Sequence, residues 1–335
     1  MLVFEDGRTT GMVSGGCLET DLAERAAAVL REGTAQTIVY DMRSPDDIVW
    51  GLGLGCDGEI RVLLEALDAQ TVAPWVAFAV GCRERRGYAA LATVFDGPDP
   101  VHIGRRCWVD DRGNHGATTG GDELETSMMH AAREALTAGR SGNSTWDTQE
   151  GSYAGLVELV PPRVQLYVFG AGADAGPIVE QAAALDWRVV VLDHREPYAG
   201  VDRFAAANEV RHVDYSSLET SALEIDERTA ILLVTHHFLH DRTLLERLIE
   251  APSGYLGVLG PRRRFERLLE ELSTAGVEPS RAARERLHGP VGLDIGSETP
   301  QEIALSALAE IQAVLSGRDG GPLRRARQPL HDWPG

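Results

Sequence analysis

The stretch Val-Gln-Leu-Tyr-Val-Phe (164–169), followed by Gly-Ala-Gly-Ala-Asp-Ala-Gly (170–176), decides the fold of the second half of this chain. The largely apolar run predicts a buried strand, and the glycines after it open a helix predicted over 177–185. Asp193 follows roughly twenty residues later, at the end of a second apolar strand (188–192). Strand, glycine loop, helix, strand and acidic residue in this order predict a Rossmann-type fold.

The glycine loop has two interpretations. Gly170 and Gly172 would let the backbone and the helix dipole approach a phosphate, while Asp193 would meet a ribose hydroxyl. Alternatively, the glycines only shape the turn and Asp193 caps it. Asp174 favours this second interpretation, because it places a negative charge beside the predicted phosphate.

Strands and helices alternate after the glycine loop, which predicts a parallel sheet covered on both faces. The further strands are predicted over 230–235 and 255–259, and the helices over 241–249 and 263–272. A last helix opens at Thr-Pro-Gln-Glu (299–302), which has the pattern of a capping box with proline at the first helical position.

The first half of the chain predicts a mixed α+β domain. A hairpin turn is expected at Asp6-Gly7, and a loop over the polar segment 139–152. Helices are predicted over 18–31 and 122–137, strands over 37–40, 72–80 and 89–95, and a strand or helix over 59–67. Pro161-Pro162 marks the boundary. The fold class is therefore α/β, with an N-terminal α+β domain (1–160), a C-terminal Rossmann-like parallel-sheet domain (161–316) and a disordered tail (317–335).

The amino-acid composition argues against several classes of function. The chain has 335 residues, 43% of them hydrophobic, and a net charge of −19 with no lysine. Such an acidic surface repels phosphate backbones and anionic lipid, so no nucleic-acid or membrane partner is expected. Without an apolar run of about 18 residues, the sequence predicts a soluble, cytoplasmic protein. The four cysteines form no C-x-x-C pair, which argues against a zinc ribbon.

Two cysteines lie in glycine-rich settings. Ser14-Gly15-Gly16-Cys17 precedes a helix, where free amides could hold an anion and lower the pKa of the Cys17 thiol, although Glu19 opposes this. The other interpretation is a glycine turn with a half-buried cysteine. Gly53, Gly55 and Cys56 lie in a second glycine loop, and two such thiols suit a soft metal or sulfur chemistry. Cys82 and Cys107 are predicted to be packing residues.

Two further motifs follow strands of the second half. His236, in Thr-His-His-Phe-Leu-His-Asp (235–241), is a candidate for hydrogen bonding or proton transfer. If the helix starts early, His236 and His240 share a face and could bind a metal. Arg262, Arg263 and Arg264, in Gly-Pro-Arg-Arg-Arg (260–264), would together bind an anion, or would simply form a solvated helix start paired with Glu266 or Glu270.

These motifs together resemble the XdhC/CoxI family of xanthine dehydrogenase and carbon monoxide dehydrogenase accessory proteins. The resemblance lies in six stretches: Val-Ser-Gly-Gly-Cys-Leu-Glu (13–19), Gly-Leu-Gly-Leu-Gly-Cys (51–56), Val-Phe-Gly-Ala-Gly (168–172) with Val-Leu-Asp-His-Arg (191–195), Val-Thr-His (234–236) with Asp241, Tyr-Leu-Gly-Val-Leu-Gly-Pro-Arg-Arg-Arg (255–264) and Gly-Leu-Asp-Ile-Gly-Ser-Glu-Thr-Pro-Gln-Glu-Ile-Ala (292–304).

The resemblance implies a chaperone that binds molybdenum cofactor (molybdopterin), promotes its sulfuration with a cysteine desulfurase and delivers it to a molybdenum hydroxylase. It also implies a homodimer, and a cofactor-insertion protein rather than a catalyst, with no catalytic residue assigned. Cys17 and Cys56 would contact molybdenum, and the glycine loops with Arg262 and Arg263 would contact a phosphate in a shared cleft. The chain departs from the family in a shorter N-terminus, Ala173 in place of histidine, and Asp57 after Cys56.

Two other functions are compatible with the sequence. Gly170, Gly172 and Asp193 suit an NAD(P)-dependent oxidoreductase, but no catalytic Lys–Tyr or His–Asp pair is recognisable. A regulatory protein that uses an empty Rossmann shell to dock a partner would bind no small molecule at all.

Overall fold

The computed structural model describes most of the chain, namely residues 1–41, 58–68, 73–196 and 203–325. The chain divides after Pro162 into two compact units. Within the described ranges, no helix is long and apolar enough to cross a membrane.

The second unit is built on six parallel strands. Its elements are β10 (Gln165–Phe169), α4 (Ala175–Ala184), β11 (Arg188–Asp193), β12 (Glu209–His212), β13 (Thr229–Leu233), α5 (Phe238–Leu248), β14 (Tyr255–Val258), α6 (Arg262–Thr274), α7 (Arg281–Arg286), β15 (Leu287–His288) and α8 (Pro300–Leu315). The strand order is β12-β11-β10-β13-β14-β15. This is the predicted Rossmann arrangement, and the α/β fold class is confirmed.

Both faces of this sheet are covered, which explains why its central strands are apolar throughout. Side chains of α4 and α8 pack on one face, with Ile178 and Ile311 in a single buried cluster. Side chains of α5 and α6 pack on the other face, with Leu245 and Leu268 in a second cluster. Every residue of β10 is buried. A strand enclosed on both sides cannot alternate apolar and polar residues, and this produces the continuous run that predicts it.

The predicted capping box of the last helix is confirmed. Thr299 is the N-cap of α8, its side chain accepts a hydrogen bond from Glu302 N–H, and the Glu302 carboxylate accepts one from Thr299 N–H. Pro300 occupies the first helical position, where the missing N–H has no intrahelical role.

The first unit is a mixed α+β unit. Its elements are β1 (Leu2–Val3), β2 (Thr9–Thr10), α1 (Glu19–Glu32), β3 (Gln36–Asp41), β4 (Glu59–Leu64), α2 (Pro74–Glu84), β5 (Ala89–Asp96), β6 (Arg106–Asp110), β7 (His115–Ala117), α3 (Glu123–Ala138), β8 (Gly142–Thr148) and β9 (Gly151–Val160). Five strands form an antiparallel sheet in the order β7-β6-β5-β9-β8. Helix α3 packs on one face and α2 on the other, and Cys82 and Cys107 are fully buried there, as predicted.

Two predictions for the first unit were wrong. Segment 72–80 was expected to be a strand, but Pro74–Glu84 is helix α2, because Pro74 starts a helix and Phe78 and Cys82 turn towards the sheet. Segment 139–152 was expected to be a loop, but Gly142–Thr148 is strand β8. Its polar residues are held by pairing with β9, and Trp146 alone fills the core, so the local composition concealed the strand.

A buried carboxylate joins the ends of β10 and β11. Asp193 accepts hydrogen bonds from Ala171 N–H (2.6 Å), Arg195 N–H (2.8 Å), and the Nε (2.9 Å) and Nη2 (2.9 Å) of Arg195. Its side chain is 0% exposed. Burial by itself raises the pKa of this carboxyl, but the hydrogen bonds from Arg195 and Ala171 outweigh it and hold the pKa at about 2. Asp193 therefore stabilises the fold as an anion.

Replacing Asp193 with asparagine tests this role. Since the folded-state pKa is depressed, the stabilisation is complete above the unfolded pKa of 3.8 and is lost as the pH falls towards 2. We expect Asp193→Asn to lower the free energy of unfolding by about 2 kcal/mol at pH 7 and by about half as much at pH 3. Urea denaturation followed by circular dichroism measures both values, with the exposed Asp294→Asn as a control. An equal loss at the two pH values would show that shape, not charge, matters.

Candidate functional site

The candidate site lies at the carboxyl ends of the parallel strands in the second unit. Strand β10 lies between β11 and β13, so the chain crosses to opposite sides of the sheet after β10 and after β13. This switch point is where open α/β sheets form a ligand crevice. Gly170 has a φ of +115°, and a Cβ atom there would lie 2.6 Å from the carbonyl oxygen of Val234. Gly170 is therefore required by the close approach of the two loops.

Gly172 has a different role from Gly170. A Cβ atom built on Gly172 would have its nearest neighbour, His236 Cδ2, 3.9 Å away. Packing within the described part of the chain therefore does not demand glycine there, and the missing side chain leaves room beside the backbone. The N–H of Ala171 is taken by Asp193, but no acceptor among the described residues bonds the N–H of Gly172 or Ala173. Two amide donors at the start of α4 remain available to an anion.

His236 stands beside this loop in an unusual backbone conformation. Its φ is +56°, in the left-handed region that costs a non-glycine residue energy. Its Nε2 lies 2.9 Å from Asp174 Oδ2 at the start of α4, and its side chain is 51% exposed. The pair spans the two loops that border the switch point. The sequence alone left Asp174 beside a predicted phosphate without a partner, and the structure supplies one.

A buried network holds the loop that carries His236. The Thr235 hydroxyl donates to Asp241 Oδ1 (2.5 Å), and Arg264 Nη2 donates to Asp241 Oδ2 (2.5 Å). The Asp241 side chain is 0% exposed. Burial raises the pKa of Asp241, and the hydrogen bond from Thr235 and the charge of Arg264 act against that rise. The network links the end of β13 to α5 and α6 and does not involve the His236 ring.

The remaining histidines of this motif form a separate ring cluster. His240 packs against His194 (centroids 4.2 Å apart) and His237 (4.1 Å), and Tyr215 lies 5.5 Å from His240. Burial and the neighbouring imidazoles lower the pKa of His240. His236 precedes α5, which begins at Phe238, and turns away to Asp174. The shared helical face that would have let His236 and His240 bind a metal is therefore not formed.

The three arginines after β14 divide into two groups. Arg264 is turned inward to Asp241, whereas Arg262 and Arg263 are exposed in the first turn of α6. Pro261 is the N-cap and offers no side-chain hydrogen bond to the helix. Two cations beside an uncapped helix start have the charge and the hydrogen-bond donors that suit an anion, and anion binding there stays a prediction.

The loop before α1 in the first unit has the backbone that its glycines predict. Gly15 (φ +76°) and Gly16 (φ +118°) are left-handed, and a Cβ atom on either would meet no atom within 4 Å. Conformation rather than crowding therefore calls for glycine at these two positions. Cys17 is exposed and reduced, and it lies two residues before the first residue of α1.

The amides of this loop already have an acceptor. The Glu19 carboxylate accepts hydrogen bonds from the N–H groups of Val13 (2.9 Å), Ser14 (2.8 Å) and Gly16 (2.9 Å), and from the Ser14 hydroxyl (2.8 Å). The backbone hydrogen bonds of Ser14 and Val13 lower the pKa of Glu19 to about 2. The N–H groups of Ser14 and Gly16 thus bind the Glu19 carboxylate, and cofactor binding by Ser14, Gly15 and Gly16 stays a prediction.

Gly53, Gly55 and Cys56 lie outside the described residues, so their place in a site remains a prediction. Among the residues that are described, no group of three or more His, Cys, Asp or Glu side chains is arranged to hold a metal ion.

Several side chains that shape the site were missed by sequence reasoning. The sequence shows Asp174 only as a negative charge beside a predicted phosphate. It shows Arg264 only as the third of three neighbouring arginines. His194 and Tyr215 follow β11 and β12 and were not singled out. Their position directly after parallel strands was the available signal, because all carboxyl ends meet at one edge of such a sheet.

Comparison with known proteins identifies the family. The XdhC Rossmann domain model matches residues 166–311, and the XdhC and CoxI family model matches residues 1–41 and 82–147. A crystal structure described as a xanthine dehydrogenase from Bacillus halodurans superposes with a TM-score of 0.74 at 28% identity, covering 98% of this chain and 88% of that one.

Two curated relatives extend along most of the chain. A protein of Bacillus subtilis, named as a probable xanthine dehydrogenase subunit, is 29% identical over 323 residues, which cover 93% of this chain and 86% of the relative. The molybdenum cofactor insertion chaperone PaoD of Escherichia coli is 26% identical over 315 residues, which cover 94% of this chain and 77% of PaoD. With both halves matched in order, the chain belongs to the XdhC/CoxI family.

Proposed function

We propose that this protein is an accessory protein that binds molybdenum cofactor and assists its sulfuration and insertion into a molybdenum hydroxylase of the xanthine or carbon monoxide dehydrogenase type. The observation that carries the proposal is the set of hydrogen-bond donors in the loops that follow the strands of the second unit, in a chain similar to an insertion chaperone. The free amides of Gly172 and Ala173, the imidazole of His236 and the exposed Arg262 and Arg263 are donors suited to a phosphate.

The cofactor is cargo, and its two ends need different chemistry. The phosphate end needs amide, imidazole and guanidinium donors, which the second unit offers. The metal end prefers soft ligands, and Cys17 provides an exposed thiol on a glycine loop. We assign Cys17, together with Cys56, to the molybdenum end. A homodimer, a cysteine desulfurase partner and a cytoplasmic location are further parts of this proposal.

An NAD(P)-dependent oxidoreductase has less support. In dinucleotide-binding Rossmann folds, the acidic residue at the end of the second strand accepts hydrogen bonds from the ribose. Within the described part of the chain, the four hydrogen bonds to the Asp193 carboxylate come from Ala171 and Arg195. The rings of His194, His240 and Tyr215 also pack together beside that strand end. A ribose would therefore have to displace bonds that hold the loop.

Removing the exposed arginines tests the phosphate receptor. We expect the double variant Arg262→Gln, Arg263→Gln to retain about tenfold less cofactor than the unaltered protein, because two charge-assisted contacts to phosphate are lost. Retention is measured as pterin and molybdenum that coelute with the protein on anaerobic gel filtration. Arg281→Gln, which removes an exposed arginine of α7, is the matched control. Equal retention by the double variant and the control would contradict the assignment.

Replacing Cys17 tests the metal end separately. We expect Cys17→Ser to lower the molybdenum-to-pterin ratio of the retained cofactor and to reduce activation of an apo-hydroxylase at least about fivefold, because a hydroxyl is a poor ligand for a soft metal. Cys107→Ala removes a buried thiol of the same unit and serves as the control. A Cys17→Ser protein that delivers cofactor at the normal rate would rule out a role for this thiol.

Dinucleotides provide a direct comparison between the two functions. Any ligand that binds only the folded state raises the thermal midpoint. We expect molybdenum cofactor to raise the midpoint, and saturating NAD⁺ or NADP⁺ to leave it unchanged. A comparable rise with NAD⁺ would favour the oxidoreductase instead.

A further inference from the structure

Asp174 occupies the N-cap position of α4 without acting as a cap. Aspartate at this position normally accepts a hydrogen bond from an N–H of the first helical turn. The Asp174 side chain makes no such bond. It points instead to His236, with Oδ2 2.9 Å from Nε2. The carboxylate therefore serves the imidazole rather than the helix.

The pair of Asp174 and His236 lies where an anion would bind, and this position is what suggests a function for it. The His236 ring lies next to Gly172, where the missing side chain leaves space and an amide donor is free. An anion bound at that amide would come close to the same imidazole. Asp174 is then the group with which the anion must compete, because one imidazole N–H donates to one acceptor at a time.

His236 can donate a hydrogen bond either to the Asp174 carboxylate or to a bound anion. Its left-handed backbone is maintained by the close approach of the loops at Gly170 and by the network of Thr235, Asp241 and Arg264. None of these contacts involves Asp174. The imidazole should therefore keep its place when Asp174 leaves it, and the partly exposed Asp174 side chain can turn towards solvent.

We propose that Asp174 is an internal stand-in for the ligand: its carboxylate occupies His236 in the empty protein, and the phosphate end of the cargo displaces it. The inference rests on the proposed function for the identity of the cargo, but it concerns phosphate chemistry alone. Asp174 thereby excludes weakly bound anions, while a ligand that also engages the Gly172 amide can displace it.

The direction in which Asp174→Asn changes the affinity for phosphate shows whether Asp174 competes with the ligand or only orients His236. If Asp174 competes with the ligand, Asp174→Asn should bind inorganic phosphate about three- to fivefold more tightly, in keeping with the loss of one partly exposed charge interaction. If Asp174 only orients His236, the same variant should bind phosphate more weakly. Titrations followed by ³¹P NMR line width give the dissociation constant of inorganic phosphate directly.

Three further variants complete the experiment. Glu180→Gln removes an exposed negative charge from α4 and should leave the phosphate affinity nearly unchanged. His236→Gln should weaken phosphate binding, and in the His236→Gln background Asp174→Asn should have a much smaller effect. Circular dichroism confirms folding, and since Asp174 caps nothing, its substitution should not unfold α4. Weaker binding by Asp174→Asn, or an equal gain in Glu180→Gln, would overturn the inference.

The cofactor experiment keeps the two proposals apart. Retention of molybdenum cofactor by the unaltered protein, with no gain in phosphate affinity in Asp174→Asn, would overturn this inference and leave the proposed function standing. Tighter phosphate binding in Asp174→Asn, with no cofactor retained by any variant, would support the role of Asp174 and overturn the proposed function.

Discussion

The close approach of the loops after β10 and β13 is the constraint on which the candidate site depends. It brings a carbonyl oxygen to within 2.6 Å of where a Gly170 Cβ atom would lie. No other residue can occupy position 170 without moving the two strand ends apart. Because these strands flank the switch point, the same contact fixes how closely the loops that carry Gly172 and His236 approach each other.

Carboxylates with internal partners recur at the sites predicted to bind anions. Glu19 fills the amide cradle before α1, Asp193 ties down the first amide of the glycine loop, and Asp174 lies against His236. A chain with a net charge of −19 repels anions in general. In the role proposed for Asp174, its carboxylate sharpens that discrimination, because a ligand must offer more contacts than the resident group does. Specificity then comes from the number of donors engaged together rather than from charge alone.

The helices and strands of the second unit were predicted from its sequence more accurately than those of the first unit. In a parallel sheet each strand is covered on both faces and is followed by its helix, so runs such as 164–169 and 188–192 carry a strong local signal. In the first unit, β8 is polar and depends on pairing with β9, while the apolar segment that begins α2 has the composition of a strand. Local patterns cannot reveal a strand whose stability comes from a partner distant in sequence.

The sequence alone determined the fold class, the family, the capped last helix and the turns that need glycine. Each of these depends on local geometry or on residues in a fixed order. Only the tertiary structure decided what the charged residues do. The motif around Asp193 predicts a contact with a ribose, and the motif around Arg264 predicts a contact with an anion. In the structure Asp193 accepts hydrogen bonds from the protein itself, Arg264 donates to Asp241, and Asp174 pairs with His236. The physical reason is that a charged side chain takes its partner from whatever the fold brings within about 3 Å. Ala171 beside Asp193, Asp241 beside Arg264 and His236 beside Asp174 are all distant from their partners in the sequence.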